Sequence, residues 1–411
     1  MDASFGSFVI VAAIAFLAPL ALALAPRLLL PGLVLELVAG ILIGPSVLGI
    51  AELNAPVEVF AQVGLVVLLY LCGREIRLER LRGRVIGRAG IGFVISLALG
   101  AAAGFGLHAI GLAESPLLVA VILAASSLSV ILIPLRDSGE SETSFGQQVM
   151  AAAAVAEFGA VVLLAFSGSS QRGGPWTELV HLVAFGAAAV LLALGLARAE
   201  RAGFMRATFD RLDRTSAQIR VRGDMALLAI IVGLAVELGL ESVLAAFAVG
   251  LVRGMSDTDP VGKERIEAVA LGVFVPFFFV ASGLQIDIGA LAESPSDMAK
   301  LPLFLFCLLA VRGLPALLYR DSMGPRRVVA AGLFQATSLS LILVATQIGE
   351  ELGLLTSETS TALIGAGLLS VILYPAIAMA LLERDRSASR SSRPDGPAGP
   401  AAGPVREPGT G

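Results

Sequence analysis

Two ionisable side chains interrupt apolar runs long enough to cross a bilayer: Glu157, between Ala154 and Ala160, and Arg312, between Leu309 and Pro315. An ionised group near the bilayer midplane costs at least a few kcal/mol, so each needs a partner, a water-filled cavity or a function. A carboxylate held out of bulk water can trade a proton for a hard cation, which makes Glu157 a candidate ion and proton site. The alternative is a permanent Glu157–Arg312 ion pair that fixes helix register. Intramembrane charges usually mark transport pathways, and this favours the first reading.

Two hydroxyl clusters add to the candidate chemistry. One is Ser126, Ser127 and Ser129, followed by Pro134; the other is Gln335, Thr337, Ser338 and Ser340. Broken helices at matching places in two halves of a chain point to a carrier's binding site, because half-helix dipoles and freed carbonyls balance and coordinate ions. The same hydroxyls can serve as glue between helices. Glu36 and Glu237 fall nearer span ends, where a capping or interface carboxylate within reach of water is the simpler reading.

The elements that must position these groups are set by composition. Of 411 residues, 56% are hydrophobic and 15% charged, against roughly 25% charged in soluble domains. Mean hydropathy is +0.88 and glycine is abundant, as in apolar helices packed closely in lipid. This excludes a soluble enzyme and predicts an all-α polytopic membrane protein. A formal net charge of -4 gives no basic excess for nucleic acid. Cys72 and Cys307 lie in apolar runs without ligand spacing, and His108 and His181 lack a second ligand at helical spacing. No metal and no cofactor is expected.

A window of about 20 residues predicts thirteen spans, of which the fifth is Pro116–Leu135, the sixth Phe145–Ser167, the seventh Thr177–Ala197, the eleventh Ala299–Tyr319 and the twelfth Pro325–Gly349. The division between the eighth and ninth rests only on the turn at Leu238–Glu241. Alternating loops then place 26 Lys and Arg residues on one side and two, Arg172 and Lys300, on the other, with Arg312 inside a span. Positive residues collect in the cytoplasm, so the N-terminus is expected outside and the C-terminus inside the cell membrane. Met1-Asp2 gives no basic leader, and the first span is expected to be retained. Residues 1–383 form the predicted membrane domain. Residues 384–411, rich in Ser, Arg, Pro and Gly, are expected to form a disordered cytoplasmic tail. No glycine-rich nucleotide fingerprint follows, so any regulator would be a separate cytosolic chain.

An offset of 210 residues recurs along the chain. It relates Gly40 to Gly250, Gly44 to Gly254, Gly73 to Gly283 and Ser127 to Thr337. With spans one to six as one half, span seven as a linker and spans eight to thirteen as the other, the halves enter from opposite sides. The expected architecture is two inverted repeats with crossed broken helices.

In order and spacing the motifs resemble the monovalent cation:proton antiporter superfamily, in the branch of bacterial sodium/proton exchangers and the membrane part of potassium efflux systems. The resemblance rests on Pro31 to Pro45, Gly64 to Gly73, Ala125-Ser126-Ser127 with Gly146 and Glu157, Pro276 to Asp287, and Leu369-Ser370 to Pro375. It implies a homodimer whose core bundle moves as an elevator, with the span-six carboxylate binding a monovalent cation or protons. It carries Glu157, Ser126, Ser127, Thr337 and Ser338 over as ion- and proton-binding residues, and Arg312 as the charge-balancing one. The chain departs from the family pattern at Ala156-Glu157, where Asp, sometimes preceded by Asn or Gln, is frequent, and at Leu128 and Ser338, where Thr and Glu are frequent. The function implied is exchange of Na+ or K+ for H+ across the lipid bilayer. A potassium channel-like efflux subunit, a sodium-coupled organic-anion symporter and a non-transporting sensor or scaffold on the same fold are the alternatives.

Overall fold

The computed structural model describes residues 5–24, 32–75, 84–165, 218–237, 242–256, 260–286, 289 and 295–391. Within them all regular structure is helical. The elements are α1 (Gly6–Leu24), α2 (Gly32–Ile43), α3 (Ala55–Glu75), α4 (Arg84–Ala109), α5 (Pro116–Ala124), α6 (Leu128–Asp137), α7 (Ser144–Ala165), α8 (Ile219–Glu237), α9 (Ser242–Ser256), α10 (Pro260–Val269), α11 (Val275–Leu284), α12 (Pro295–Gly313), α13 (Pro325–Gln335), α14 (Ser340–Glu351) and α15 (Ser357–Ser391). A π-turn, Ala270–Phe274, joins α10 to α11 and precedes Pro276, which has no N–H to continue a helical ladder. Seven of the described segments are long and apolar enough to cross a membrane by length and composition, and three shorter apolar helices accompany them. Together with the α5–α6 pair and α8 they account for every expected span but the seventh, which lies outside the described residues.

Both breaks fall where the hydroxyl clusters predict them. Span five stops at Ala124 and restarts at Leu128, and span twelve stops at Gln335 and restarts at Ser340. Among the seven long apolar segments described, the one from Pro325 to Glu351 is the innermost, with 94% of its most apolar 18-residue window buried despite its polar centre. A break can stand at that depth only where protein groups satisfy the freed backbone.

The helices pack in two groups. In one, α2 and α3 pack on α11, α9 packs on α3, and α1 and α8 lie alongside. In the other, α4, α5, α6, α7, α12, α13, α14 and α15 surround the breaks. The groups meet where α7 touches α9, with the rings of Phe158 and Phe247 5.8 Å apart, and where α6 touches α3.

Glycines in the first group follow the 210-residue offset closely. A Cβ on Gly40 would stand 2.2 Å from the Val280 carbonyl oxygen, and one on Gly250 would stand 2.0 Å from that of Tyr70. A Cβ on Gly283 would meet the Leu37 carbonyl at 2.4 Å, and one on Gly73 the Phe247 carbonyl at 2.2 Å. Adding 210 to 40 and 37 gives 250 and 247; subtracting it from 280 and 283 gives 70 and 73. The α2–α11 contact is thus repeated, residue for residue, by α9–α3.

Polar contacts also sort by end of the bundle. At one end Asp224 pairs with Arg253 and with Arg74 at 3.7 Å, Arg88 donates to Ser322, and Arg327 pairs with Glu140 at 3.7 Å and Asp385 at 3.0 Å. At the other, Glu114 accepts from Thr356 and Thr359, Lys300 donates to Thr359, and Ser46 donates to the Ile286 carbonyl. Each set joins only span ends and loops that the alternating scheme puts on one side. The last helix, α15, is described as far as Ser391, and Arg327 pairs with Asp385 near its end. The rest of the expected tail, residues 392–411, lies outside the described residues.

Candidate functional site

Glu157 sits in the middle of α7 and is 2% exposed. Its Oε2 accepts a hydrogen bond of 3.1 Å from the N–H of Leu128, the first residue of α6. The partial positive charge at a helix N-terminus favours an anion there, and the first N–H groups of a helix have no partner within it. The carboxylate therefore supplies what the break at Ala125–Ser127 leaves missing.

The two breaks hold each other. The N–H of Ser127 donates to the Thr337 carbonyl at 3.2 Å, Ser126 Oγ donates to the Gln335 carbonyl at 3.1 Å, and the N–H of Leu339 donates to Ser127 Oγ at 3.1 Å. Ser127 and Thr337, related by the repeat offset, are direct partners. Thr337 Oγ1 turns back to the Leu333 carbonyl at 3.1 Å, four residues earlier. Ser338 uses its backbone instead: its N–H donates to Ser370 Oγ at 3.2 Å, and Ser370 Oγ also lies 3.1 Å from its carbonyl.

Arg312, 1% exposed, closes the arrangement from α12. Its Nε donates to the Gln335 carbonyl at 3.3 Å, Nη1 to Ser96 Oγ at 3.0 Å and Nη2 to the Ala152 carbonyl at 3.3 Å. These acceptors are neutral and belong to α13, α4 and α7. The guanidinium fork thus ties three helices around Glu157, which differs from the simple Glu157–Arg312 pairing weighed from the sequence.

The structure brings Ser126, Ser127, Thr337 and Ser338 to one crossing, with Glu157 at the end of one half-helix and Arg312 bonded beside the other. Ser129 and its side-chain contacts lie outside what is described. Ser96 escaped the sequence reading, since a single serine in an apolar helix carries no signal of its own, and Ser370 entered it only within the Leu369-Ser370 to Pro375 motif, without a role at the site. Asp224 did too: at 3% exposure it binds Arg74 and Arg253, both of which the sequence places in loops, and accepts from Tyr70 at 3.0 Å. Glu237 is exposed at the end of α8, as expected. Glu36 is not: it is 7% exposed, one turn before Gly40 on the row of α2 that faces α11. Among the described residues no group of His, Cys, Asp and Glu could hold a metal ion. His108 lies 2.8 Å from the Ala113 carbonyl, Cys72 is buried, and His181 lies outside the described residues.

An all-helical membrane bundle with two broken helices crossing beside a buried carboxylate is the architecture of an ion-transport protein. Residues 12–384 match the family described as sodium/hydrogen exchanger, transmembrane, and the chain belongs to that family. Its members are transporters and not enzymes. Over 400 residues the chain is 25% identical to YjbQ of Bacillus subtilis (strain 168), covering 93% of the chain and 64% of that longer protein. Over 358 residues it is 26% identical to the Na(+)/H(+) antiporter of Enterococcus hirae, covering 85% of the chain and 91% of the relative. The fold is similar to that of the sodium proton antiporter MjNhaP1 from Methanocaldococcus jannaschii at pH 8, with a TM-score of 0.64, 20% identity, and coverage of 92% of this chain and 98% of the other.

Proposed function

We propose that the chain is a secondary carrier that exchanges a monovalent cation, Na+ or K+, for H+ by alternating access. The observation that carries this reading is the carboxylate of Glu157, buried and bonded through Oε2 to the free N-terminus of a half-helix. Such a group binds either a proton or a cation. Ionised, it offers a charged oxygen ligand; protonated, it is neutral and crosses the apolar interior at lower cost. Competition of both ions for one carboxylate gives coupling without further machinery.

The remaining assignments rest on the same reading. The halves form an inverted repeat, supported by the paired glycine contacts and by the hydrogen bond between Ser127 and Thr337. The Arg-rich end is cytoplasmic, with the N-terminus outside, supported by the 26-to-2 distribution of Lys and Arg. A homodimer follows from the resemblance stated above, and any regulator would be a separate cytosolic chain.

The test is cation-dependent proton flux in everted vesicles, scanned over added Na+, K+ and Li+. Glu157→Gln keeps shape and an acceptor for the Leu128 N–H but binds no exchangeable proton, so a folded, inserted variant is expected to lose coupled flux. Full cation-dependent flux in that variant would refute the mechanism.

A further inference from the structure

Arg327 and Glu140 each carry the wrong charge for their own half-helix. Arg327 lies in the first turn of α13, where the partial positive charge of a helix N-terminus disfavours a cation. Glu140 follows α6, and its N–H donates to the Leu135 carbonyl at 2.9 Å, which puts it at the negative pole of that half-helix. Across the gap the signs are right. Arg327 Nη2 stands 3.7 Å from Glu140 Oε1, so each ion is brought to the pole of the other half-helix that favours it. The pair is favourable only while α6 and α13 keep this relation.

The surroundings fix both members. Glu140 is 1% exposed, and Thr143 Oγ1 lies 2.8 Å from its Oε2 while accepting the Gly146 N–H of α7 at 3.2 Å. From the other side Arg327 Nε donates to Asp385 Oδ2 of α15 at 3.0 Å. The guanidinium also lies 5.9 Å from the centre of the Phe145 ring of α7, and that ring meets Phe334, next to the break at Gln335, edge-on at 6.3 Å. One side chain therefore joins the end of α6, the base of α7, the start of α13 and α15. Between their ends α6 and α13 both pack on α7 and α15.

The two half-helices are tied twice. At the crossing the Ser127 N–H reaches the Thr337 carbonyl and Ser126 Oγ the Gln335 carbonyl; at the Arg-rich end Arg327 reaches Glu140. The opposite end of the bundle has a tie at the matching place. Glu114, 210 residues before Gly324, accepts from Thr356 and Thr359 at 3.0 and 2.9 Å, and these stand 210 residues after Gly146 and Val149 in α7. That tie is made by hydroxyls. We propose that Arg327 is a positioning residue of the exchange reaction, which locks α6 to α13 over the base of α7 and so holds the Leu128 N–H against Glu157. α6 has only ten residues, about 15 Å, so freedom at Glu140 is felt at Leu128. This rests on the exchange reading and extends it to a residue that touches no transported ion.

The measurement is cation-dependent proton flux of the full chain in everted vesicles, with apparent KM for the cation and maximal rate taken separately. Once α6 is released at Glu140, the Leu128 N–H favours the Glu157 carboxylate less, and the proton competes better with the cation. Arg327→Gln and Glu140→Gln are each expected to raise the apparent KM about two- to fivefold with the maximal rate kept, the scale of a charge at a helix terminus. Both remove the same tie, so the double variant should be no worse than Arg327→Gln alone. Arg327→Lys, which keeps a positive charge at the C-terminal pole of α6, should recover part of the loss. An unchanged KM in both glutamine variants, even with a lowered melting temperature, would overturn the positioning role, as would additive effects in the double variant or a lysine no better than glutamine. If Arg327→Gln fails to insert, Glu140→Gln and Arg327→Lys decide by the same comparison. Absence of cation-dependent flux in the unaltered protein would end the exchange reading and this proposal together, whereas normal flux there with unchanged variants would end this proposal alone.

Discussion

Replacing Gly250 by Ala adds one methyl group at the tightest of the helix contacts. Its Cβ would stand 2.0 Å from the Tyr70 carbonyl oxygen, and ordinary contact begins at 3.4 Å, so α9 and α3 must part by about 1.4 Å. The close approach extends over a second turn, where a Cβ on Gly73 of α3 would stand 2.2 Å from the Phe247 carbonyl, so parting the helices at Gly250 also opens the contact at Gly73. Overpacking of a filled interior costs about 1–3 kcal/mol, which lowers the ratio of folded to unfolded protein by roughly five- to 150-fold. Gly40→Ala meets the Val280 carbonyl at 2.2 Å and should cost a similar amount if the two contacts are equivalent. Gly233, in the middle of α8, has nothing within 4 Å, so Gly233→Ala should be neutral or gain about 0.5–1 kcal/mol of helix propensity. Thermal unfolding of the three variants in one detergent is the assay. A Gly250→Ala protein that melts with Gly233→Ala, and not with Gly40→Ala, would refute both the close packing and its repetition.

A reporter fused after Glu383 should be cytoplasmic and one at Asp2 external; both on one side would mean that a span has been miscounted. If protons and cations compete for Glu157, lowering the pH converts the carboxylate to its neutral form and removes the cation's ligand. The apparent KM for the cation should then rise by up to about tenfold per pH unit on the acidic side, with maximal rate preserved at saturating cation. A KM that is flat with pH while the maximal rate falls would mean that the two ions bind at different groups.

Much of this arrangement is legible in the sequence because lipid is a strict solvent. Glu157 and Arg312 stand out as charges in apolar runs, and the serine clusters mark both breaks, since free backbone at that depth needs polar neighbours. The repeat is legible through glycine, the residue that close helix contact demands. What the sequence does not carry is the identity of partners far apart in the chain. Arg74 and Arg253 look like loop charges until Asp224, 150 residues from the first, is seen to hold them in a buried cluster. Ser370 is one hydroxyl among many until its place beside Ser338 is known.

The role of Arg312 can be separated into charge and shape. Its three donors reach three neutral oxygens on three helices, at 3.0, 3.3 and 3.3 Å. Lysine preserves the positive charge but has one nitrogen in place of the fork, so it cannot span Gln335, Ser96 and Ala152 at once. If Arg312 acts only through its charge on the cation site, Arg312→Lys should keep the pH profile and the stability of the unaltered protein, and Arg312→Gln alone should shift the profile. If the fork is what positions α4, α7 and α13 around Glu157, both variants should lose stability together. The Gln335 carbonyl keeps its bond from Ser126 and the Ala152 carbonyl its place inside α7, so the cost is that of the lost bonds from a charged donor, about 1.5–3 kcal/mol each. The bonding favours the second outcome, in which both variants melt well below the unaltered protein. Unaltered melting of Arg312→Lys, with only the pH profile of Arg312→Gln displaced, would show that the charge alone matters and that the three bonds contribute little.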